Sequence, residues 1–312
     1  MENSKGKGLE NIHPIVKSKG RVERFLSYDR VRASVVDITE LCQDVAAMQK
    51  TSPSSTIALS RLLVATTLLA SHTKDEHEVA AQISCDGPLK SLFAHCTYDG
   101  RLRGSVGEKQ VEPSLVDGQF SLKPLVGEGY LIVSTHVPRA KQPRKSQVKL
   151  VSGEIGPDIT HYLHTSMQIQ SLISLGVQVS GDGHVQAAGG VLIELMPGHK
   201  EETVAVIEKA HSQSQALSDL ISKKADFTEL LKNHSGSIEY SSLAVSEVQY
   251  LCSCKREKAA GSLELLGLNE LSEIVTAQET LNIDCDMCGL RYDFHPSEIQ
   301  LIYDKLKSKA VH

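Results

Sequence analysis

Four of the seven cysteines in this chain fall in two tight pairs near its end. The first reads Cys252-Ser253-Cys254. The second, after the thirty residues 255–284, reads Cys285-Asp286-Met287-Cys288-Gly289. No other stretch gathers side chains of one soft, reactive type, so this pattern limits the fold more than any other. Zinc prefers four ligands in a tetrahedron, and a closed structural site is often four thiolates. The Cys-x-x-Cys-Gly pair has the shape of a zinc knuckle, in which the glycine takes a positive φ at little cost. The Cys-x-Cys pair is tighter than the usual ribbon spacing. A disulfide across it is strained and therefore reducible, which suits a labile bond better than a permanent one. We expect Cys252, Cys254, Cys285 and Cys288 to hold one Zn2+ per chain. His295, seven residues past Cys288, is a spare ligand type, read here as the exposed start of the last helix.

The module from 251 to 312 has few large apolar side chains. A core so small rarely stands alone, so metal binding has to supply much of its folding free energy, about 10 kcal/mol for a structural site. Oxidants attack thiolates. Disulfides within each pair need no long-range rearrangement, and two of them remove all four ligands. The module should then unfold, stop supporting what precedes it and expose apolar surface that binds other apolar surface.

The rest of the chain reads as an α+β domain, a mostly antiparallel sheet with packed helices. The expected strands are 24–36, 78–84, 89–98, 101–106, 130–136, 147–152, 160–168, 175–180 and 185–195, with Asp99-Gly100 a hairpin signal. Helices are expected over 38–49 and 57–71, the second capped by Ser55 or Thr56 and packed on the sheet. Residues 1–20 read as a disordered extension and 21–200 as the main domain. Residues 201–250 read as a helical, metastable linker, short polar helices ending in a connector over 237–250 that fold only with help from their neighbours. In the module, short helices over 255–266 and 269–276, a strand over 290–294 and a helix over 297–306 with Pro296 at its first position complete the reading.

Composition excludes some functions. Aromatics are 4% of the 312 residues, Trp is absent and the net charge is −5. Neither stacking platforms nor a general pull toward phosphate or anionic lipid is expected, so we expect no nucleic-acid and no membrane partner. The longest apolar run, Leu62 to Ala70, is broken by Thr66 and Thr67. The start of the chain has no apolar signal core, and its odd number of cysteines points to reduced thiols. A cytoplasmic protein is expected, with an organellar address as the alternative. Cys42, Cys85 and Cys96 are isolated and read as small buried hydrophobes. The basic stretch 138–149 reads as a solvated hairpin loop. No nucleotide fingerprint or nucleophile–base arrangement supports an enzyme.

The order Cys-x-Cys, about thirty residues, Cys-x-x-Cys behind an α+β domain resembles the 33 kDa heat-shock protein family of redox-regulated holdase chaperones. Val151-Ser152-Gly153-Glu154-Ile155-Gly156 with Asp158-Ile159-Thr160 resembles that family's central motif. Ala187-Ala188-Gly189-Gly190 leading to Leu195-Met196-Pro197-Gly198 resembles a second. Tyr28-Asp29, Val31-Arg32-Ala33 and Ala58-Leu59-Ser60-Arg61 resemble weaker ones, and the likeness runs over about residues 22–307. It implies ATP-independent binding of unfolding client proteins after oxidation, disulfides Cys252–Cys254 and Cys285–Cys288, zinc loss, a monomer when reduced and a homodimer when oxidised. The competing readings are a non-switching zinc ribbon that binds a protein or nucleic acid, and a thiol oxidoreductase using Cys285 and Cys288. The second would be expected in a thioredoxin-like βαβ context, which is not evident here.

Overall fold

The computed structural model describes residues 13–74 and 76–310. They form two compact units, Pro14–Leu251 and one that contains 252–310.

In the first unit the chain runs β1 (His13–Leu26), β2 (Val31–Asp37), α1 (Thr39–Gln49), α2 (Pro53–Ser71), β3 (Glu78–Cys85), β4 (Ser91–Thr97), β5 (Arg101–Val106), β6 (Leu115–Val116), β7 (Gln119–Phe120), α3 (Lys123–Val126), β8 (Gly129–His136), β9 (Arg144–Lys149), α4 (Gly156–Thr165), β10 (Ser171–Val179), β11 (Val185–Leu195), α5 (Glu201–Ser212), α6 (Leu217–Ser222), α7 (Phe227–Ser235) and β12 (Ser241–Cys252). Ten strands form one sheet in the order β10-β11-β2-β1-β12-β5-β4-β3-β8-β9. The pairing of β12 with β5 is parallel, while β1–β2, β2–β11, β10–β11, β3–β4, β3–β8, β4–β5 and β8–β9 are antiparallel. The expected α+β class with a mostly antiparallel sheet is what the chain adopts.

Strand periodicity sends alternate residues to two cores. Along β2, Val36 joins one cluster with Leu62, Leu63, Leu92 and Leu102 under α1, α2 and α4. Val31, Ala33 and Val35 join the other, with Ile207, Leu220, Ile221 and Leu230 of α5–α7. Sixteen of the nineteen residues of α2 are buried. Thr66 and Thr67 tolerate this because their hydroxyls donate to the carbonyls of Leu62 and Leu63. This helix is long and apolar enough to cross a membrane, but 89% of its apolar window is buried within the protein. The Gly189-Gly190 motif lets α2 and β2 approach β11. A Cβ at Gly190 would lie 2.7 Å from Val64 Cγ1, and one at Gly189 would lie 2.4 Å from the Val36 carbonyl oxygen.

Several expectations change. Residues 13–20, read as part of a disordered extension, lie in β1; residues 1–12 lie outside the described residues. The opening strand is a hairpin, because the chain turns at Tyr28-Asp29 between β1 and β2. The α2 cap is Ser52 rather than Ser55 or Thr56: its hydroxyl accepts from the Ser55 N–H, and Pro53 takes the first helical position. The segment 160–168, expected as strand, is largely in α4. There the Asp158 carboxylate accepts from the backbone N–H groups of Val151, Ser152 and Ile155, and Ile159, Tyr162 and Leu163 turn one face inward. The 237–250 connector is mostly β12, which lies between β1 and β5. Val248 and Tyr250 are fully buried there. The Tyr250 hydroxyl donates to the Gly104 carbonyl at 2.6 Å and accepts from Gln49 Nε2 at 3.1 Å.

The second unit contains α8 (Arg256–Glu264), α9 (Gly267–Ala277), β13 (Leu281–Asp284), β14 (Arg291–Phe294) and α10 (Pro296–Ala310). β13 and β14 form an antiparallel hairpin; β13 was not anticipated. Among the described residues its core is Leu263, Leu271, Phe294 and Ile299.

Candidate metal centre

Each cysteine pair sits where a strand stops. Cys252 is the last residue of β12, and the chain then bends through Ser253 to Cys254. Lys258, in the first turn of α8, holds this bend by donating to the Ser253 carbonyl at 2.9 Å. Cys285–Gly289 is the turn that joins β13 to β14. It is closed by Cys285 N–H to the Leu290 carbonyl at 3.0 Å and Gly289 N–H to the Cys285 carbonyl at 2.7 Å. Gly289 has φ +67°, the conformation that favours glycine. Below the turn the β13–β14 ladder is braced by two hydrogen bonds from Arg291 to Asp284, at 2.7 and 2.8 Å.

All four sulfurs lie within 4.8 Å of one another. The near contacts cross between the pairs: Cys252 to Cys285 at 3.7 Å and Cys254 to Cys288 at 3.3 Å. A tetrahedral zinc thiolate site with bonds of about 2.3 Å needs sulfurs about 3.8 Å apart, so the four side chains fit that ion. Cys252 and Cys288 are buried and the other two are partly exposed. The pKa of Cys285 is held down to about 5, first by the hydrogen bond from the Cys252 thiol and then by the backbone N–H groups of Cys288 and Met287. Cys252 is driven far up by donating that bond and by burial. Burial pushes Cys288 up to about 12. The backbone donors facing sulfur suit bound thiolates, whose excess charge they offset.

Three features around the sulfurs were not anticipated. The Tyr292 hydroxyl donates to Cys254 Sγ at 3.2 Å. Arg256 stacks on the Phe294 ring at 4.5 Å and donates to Glu298 at 2.8 Å, tying α8 to β14 and α10. Lys258 closes the first bend, as described above. The strand after the knuckle was the available signal for Tyr292, since its side chain reaches the sulfurs only from β14. His295 stands apart. It is exposed, and its carbonyl accepts from Glu298 and Ile299 at the start of α10.

The other thiols are outside this cluster. Cys42 and Cys96 are buried, and burial pushes each up to about 12. Cys85 is raised, chiefly by burial.

Known proteins resemble this chain over most of its length. A family profile described as Hsp33 protein matches residues 20–295. The chain belongs to the Hsp33 family. Named relatives include the 33 kDa chaperonin of Desulforamulus reducens, 32% identical over 87% of this chain and 92% of the relative. That of Shouchella clausii is 31% identical over 93% and 99%. The crystal structure of the 33 kDa chaperonin (heat shock protein 33 homolog) from Thermotoga maritima superposes with a TM-score of 0.82, at 29% identity, covering 94% of this chain and 99% of that one. Hsp33 proteins are chaperones, and the two longest motifs found in the sequence are structural parts of the fold. Glu154 of the central motif accepts from Ser121 Oγ at 2.6 Å and the Leu122 N–H at 3.0 Å and pairs with Arg61, while Gly189-Gly190 is the close approach of β11 to β2 and α2.

Proposed function

We propose that this protein is an ATP-independent holdase whose client binding is switched on by oxidation of Cys252, Cys254, Cys285 and Cys288. The observation that carries the reading is the closed four-sulfur cluster in a unit whose core, among the described residues, is four buried apolar side chains. When reduced, the four thiolates hold one Zn2+, which supplies charge neutralisation and a fixed point joining β12 to the β13–β14 turn. Tyr292 and the knuckle N–H groups hold the sulfurs in place.

Oxidation proceeds by peroxide chemistry. A thiolate attacks peroxide and breaks the O–O bond, giving a sulfenic acid and, with a proton, one water. Its partner sulfur then displaces the second oxygen as water and forms the S–S bond. Two peroxides give two disulfides, Cys252–Cys254 and Cys285–Cys288. Sulfurs bound to each other no longer ligate the ion. The end of β12 loses its anchor, the stretch from about 211 to 250 loosens, and apolar surface opens to unfolding proteins. The reduced chain is a monomer and the oxidised one a homodimer, working in the cytosol.

The test is light scattering from a chemically unfolded client diluted into buffer with either zinc-loaded reduced protein or protein treated with peroxide under mild warming. Suppression of aggregation by the oxidised form alone is the expected result. Equal suppression by both forms rejects the switch and leaves a structural metal module. Suppression by neither, with zinc retained, rejects the holdase. Peptide mapping of the oxidised protein separates disulfides within the pairs from disulfides across them, Cys252–Cys285 and Cys254–Cys288.

A further inference from the structure

The two ends of the ten-stranded sheet are unlike. The strand at one end, β9, carries Arg144, Lys145 and Lys149 in six residues. Exposed charges on an edge strand, lysines above all, keep other chains from pairing with it. The strand at the other end, β10, reads Ser-Leu-Ile-Ser-Leu-Gly-Val-Gln-Val and carries no charge in nine residues. Its one protective irregularity is a bulge at Gln178/Val179, at its far end. Among the described residues it pairs with β11 alone.

The pairing fixes which of its backbone groups point outward. The Leu195 N–H donates to the Gln170 carbonyl, so Ser171 and Glu194 face each other as a non-hydrogen-bonded pair. By alternation the N–H and C=O groups of Ser171, Ile173, Leu175 and Val177 point away from β11, toward the open edge.

A cavity of about 310 Å3 lies at the start of this edge. Thr160 and His164 of α4 line one side, Val204, Ile207 and, at the rim of its apolar wall, Glu208 of α5 the other, and Leu172 and Leu195 belong to the strands between. Helices α4 and α5 contribute to the cores on opposite faces of the sheet. A cavity lined by both must wrap around the sheet's edge. Ser171 Oγ, which also lines it, is buried with no hydrogen-bond partner in the described structure.

We propose that the β10 edge is a docking rail for an extended, uncharged, apolar segment of an unfolded client. The segment adds an eleventh strand to the sheet and places a large apolar side chain between α4 and α5. This rests on the holdase reading above and names where that activity grips its client. Main-chain hydrogen bonds to four alternate residues are indifferent to client sequence, as a general holdase requires, while the pocket selects for apolar side chains. The absence of charge along β10 matches an uncharged, apolar segment. The volume sits at the small end of the range for ligand pockets, about 300–1,000 Å3.

The experiment uses the oxidised full-length chain and reduced, carboxymethylated α-lactalbumin, which stays unfolded in buffer, as the probe. Amide hydrogen exchange is read residue by residue. Without the probe, Leu172, Ser174 and Gly176 should exchange slowly and Ile173, Leu175 and Val177 quickly. At saturation the second set should slow at least tenfold. Ser171→Pro removes an outward N–H without touching the β11 ladder, and Val204→Lys puts a charge in the cavity. Each should weaken probe binding about tenfold while peroxide-driven zinc release is unchanged. If Ile173, Leu175 and Val177 stay unprotected while the probe binds and aggregation is suppressed, the rail is wrong and the holdase reading survives. If their protection follows protein concentration rather than probe, a second copy occupies the edge and the client assignment fails. If no probe binds at all, both readings fall.

Discussion

Helix α2 buries sixteen of its nineteen residues, whereas α10, the longest helix of the unit that contains 252–310, fully buries Ile299 and leaves Leu301 70% exposed. The same contrast holds for the units as wholes. The sheet unit has an extensive apolar cluster on each face. Among the described residues the cysteine unit has a core of four buried apolar side chains, two short strands and four sulfurs drawn to within 4.8 Å. Each ordered residue costs about 1–2 kcal/mol of backbone entropy. Apolar burial can offset that cost in the first unit. In the second the apolar core is small, and the proposed zinc site is expected to make up the difference. One unit is therefore expected to be indifferent to oxidants, and the other to be only as stable as its ligands.

The most severe way to break this comparison is to remove the metal. Chelation, or Cys285→Ser, should cost the 252–310 unit about 10 kcal/mol and abolish its helical circular-dichroism signal, leaving the sheet unit's thermal transition in place. Retained helix in that unit would put its stability elsewhere. The converse change is Leu62→Ala in α2, fully buried in the large core. It should lower the stability of the sheet unit by about 3–4 kcal/mol, read from denaturant midpoints, without changing the amount of zinc bound.

The segment 201–235 sharpens the comparison from a third side, because it is held by apolar contacts around a histidine pair. His211 and His234 bring their Nδ1 atoms to 3.1 Å. Burial, and secondarily the His211 charge, lower His234 to about 4. The unfolded chain takes up this proton near pH 6.5, so between about pH 6.5 and 4 it binds more protons than the folded chain. Stability is then full above the upper value and is lost as pH falls through the window, by up to about 3 kcal/mol. Limited proteolysis within 201–235 should accelerate between pH 7 and pH 5, and His234→Gln should remove most of that dependence. A rate independent of pH would show that the pair is not what holds α5 to α7. The smallest effect is expected from Tyr292→Phe. Losing the hydroxyl donor to Cys254 should weaken zinc affinity about tenfold, measured by competition with a chelator, with folding otherwise unchanged.

Much of this was legible in residue order. The four sulfurs meet as their spacing implied, and the β4–β5 hairpin turns at Asp99-Gly100. Helix α2 packs on the sheet. What could not be read is where long-range partners override local pattern. Residues 160–168 alternate enough to pass for a strand, yet the buried Asp158 caps the start of a helix there by gathering N–H groups from 151–155. The stretch 237–250 read as a connector because its apolar residues, Ile238, Leu243, Val245 and Val248, are scattered among polar ones. Its role as an inner strand depends on Gly104 and Gln49, 146 and 201 residues away. For Tyr292 the sequence offered only the strand after the knuckle; the contact of its hydroxyl with Cys254 depends on how β14 follows that turn.

The central claim is that one unit is held by its core and the other by its metal. Hydrogen exchange on the zinc-loaded reduced chain and on the peroxide-treated chain tests this most directly. The account predicts that amides across 252–310 lose protection on oxidation while those of α2 and of β3, β4 and β5 keep it. Unchanged protection in 252–310 after zinc has left, or loss of protection in both units together, would contradict it.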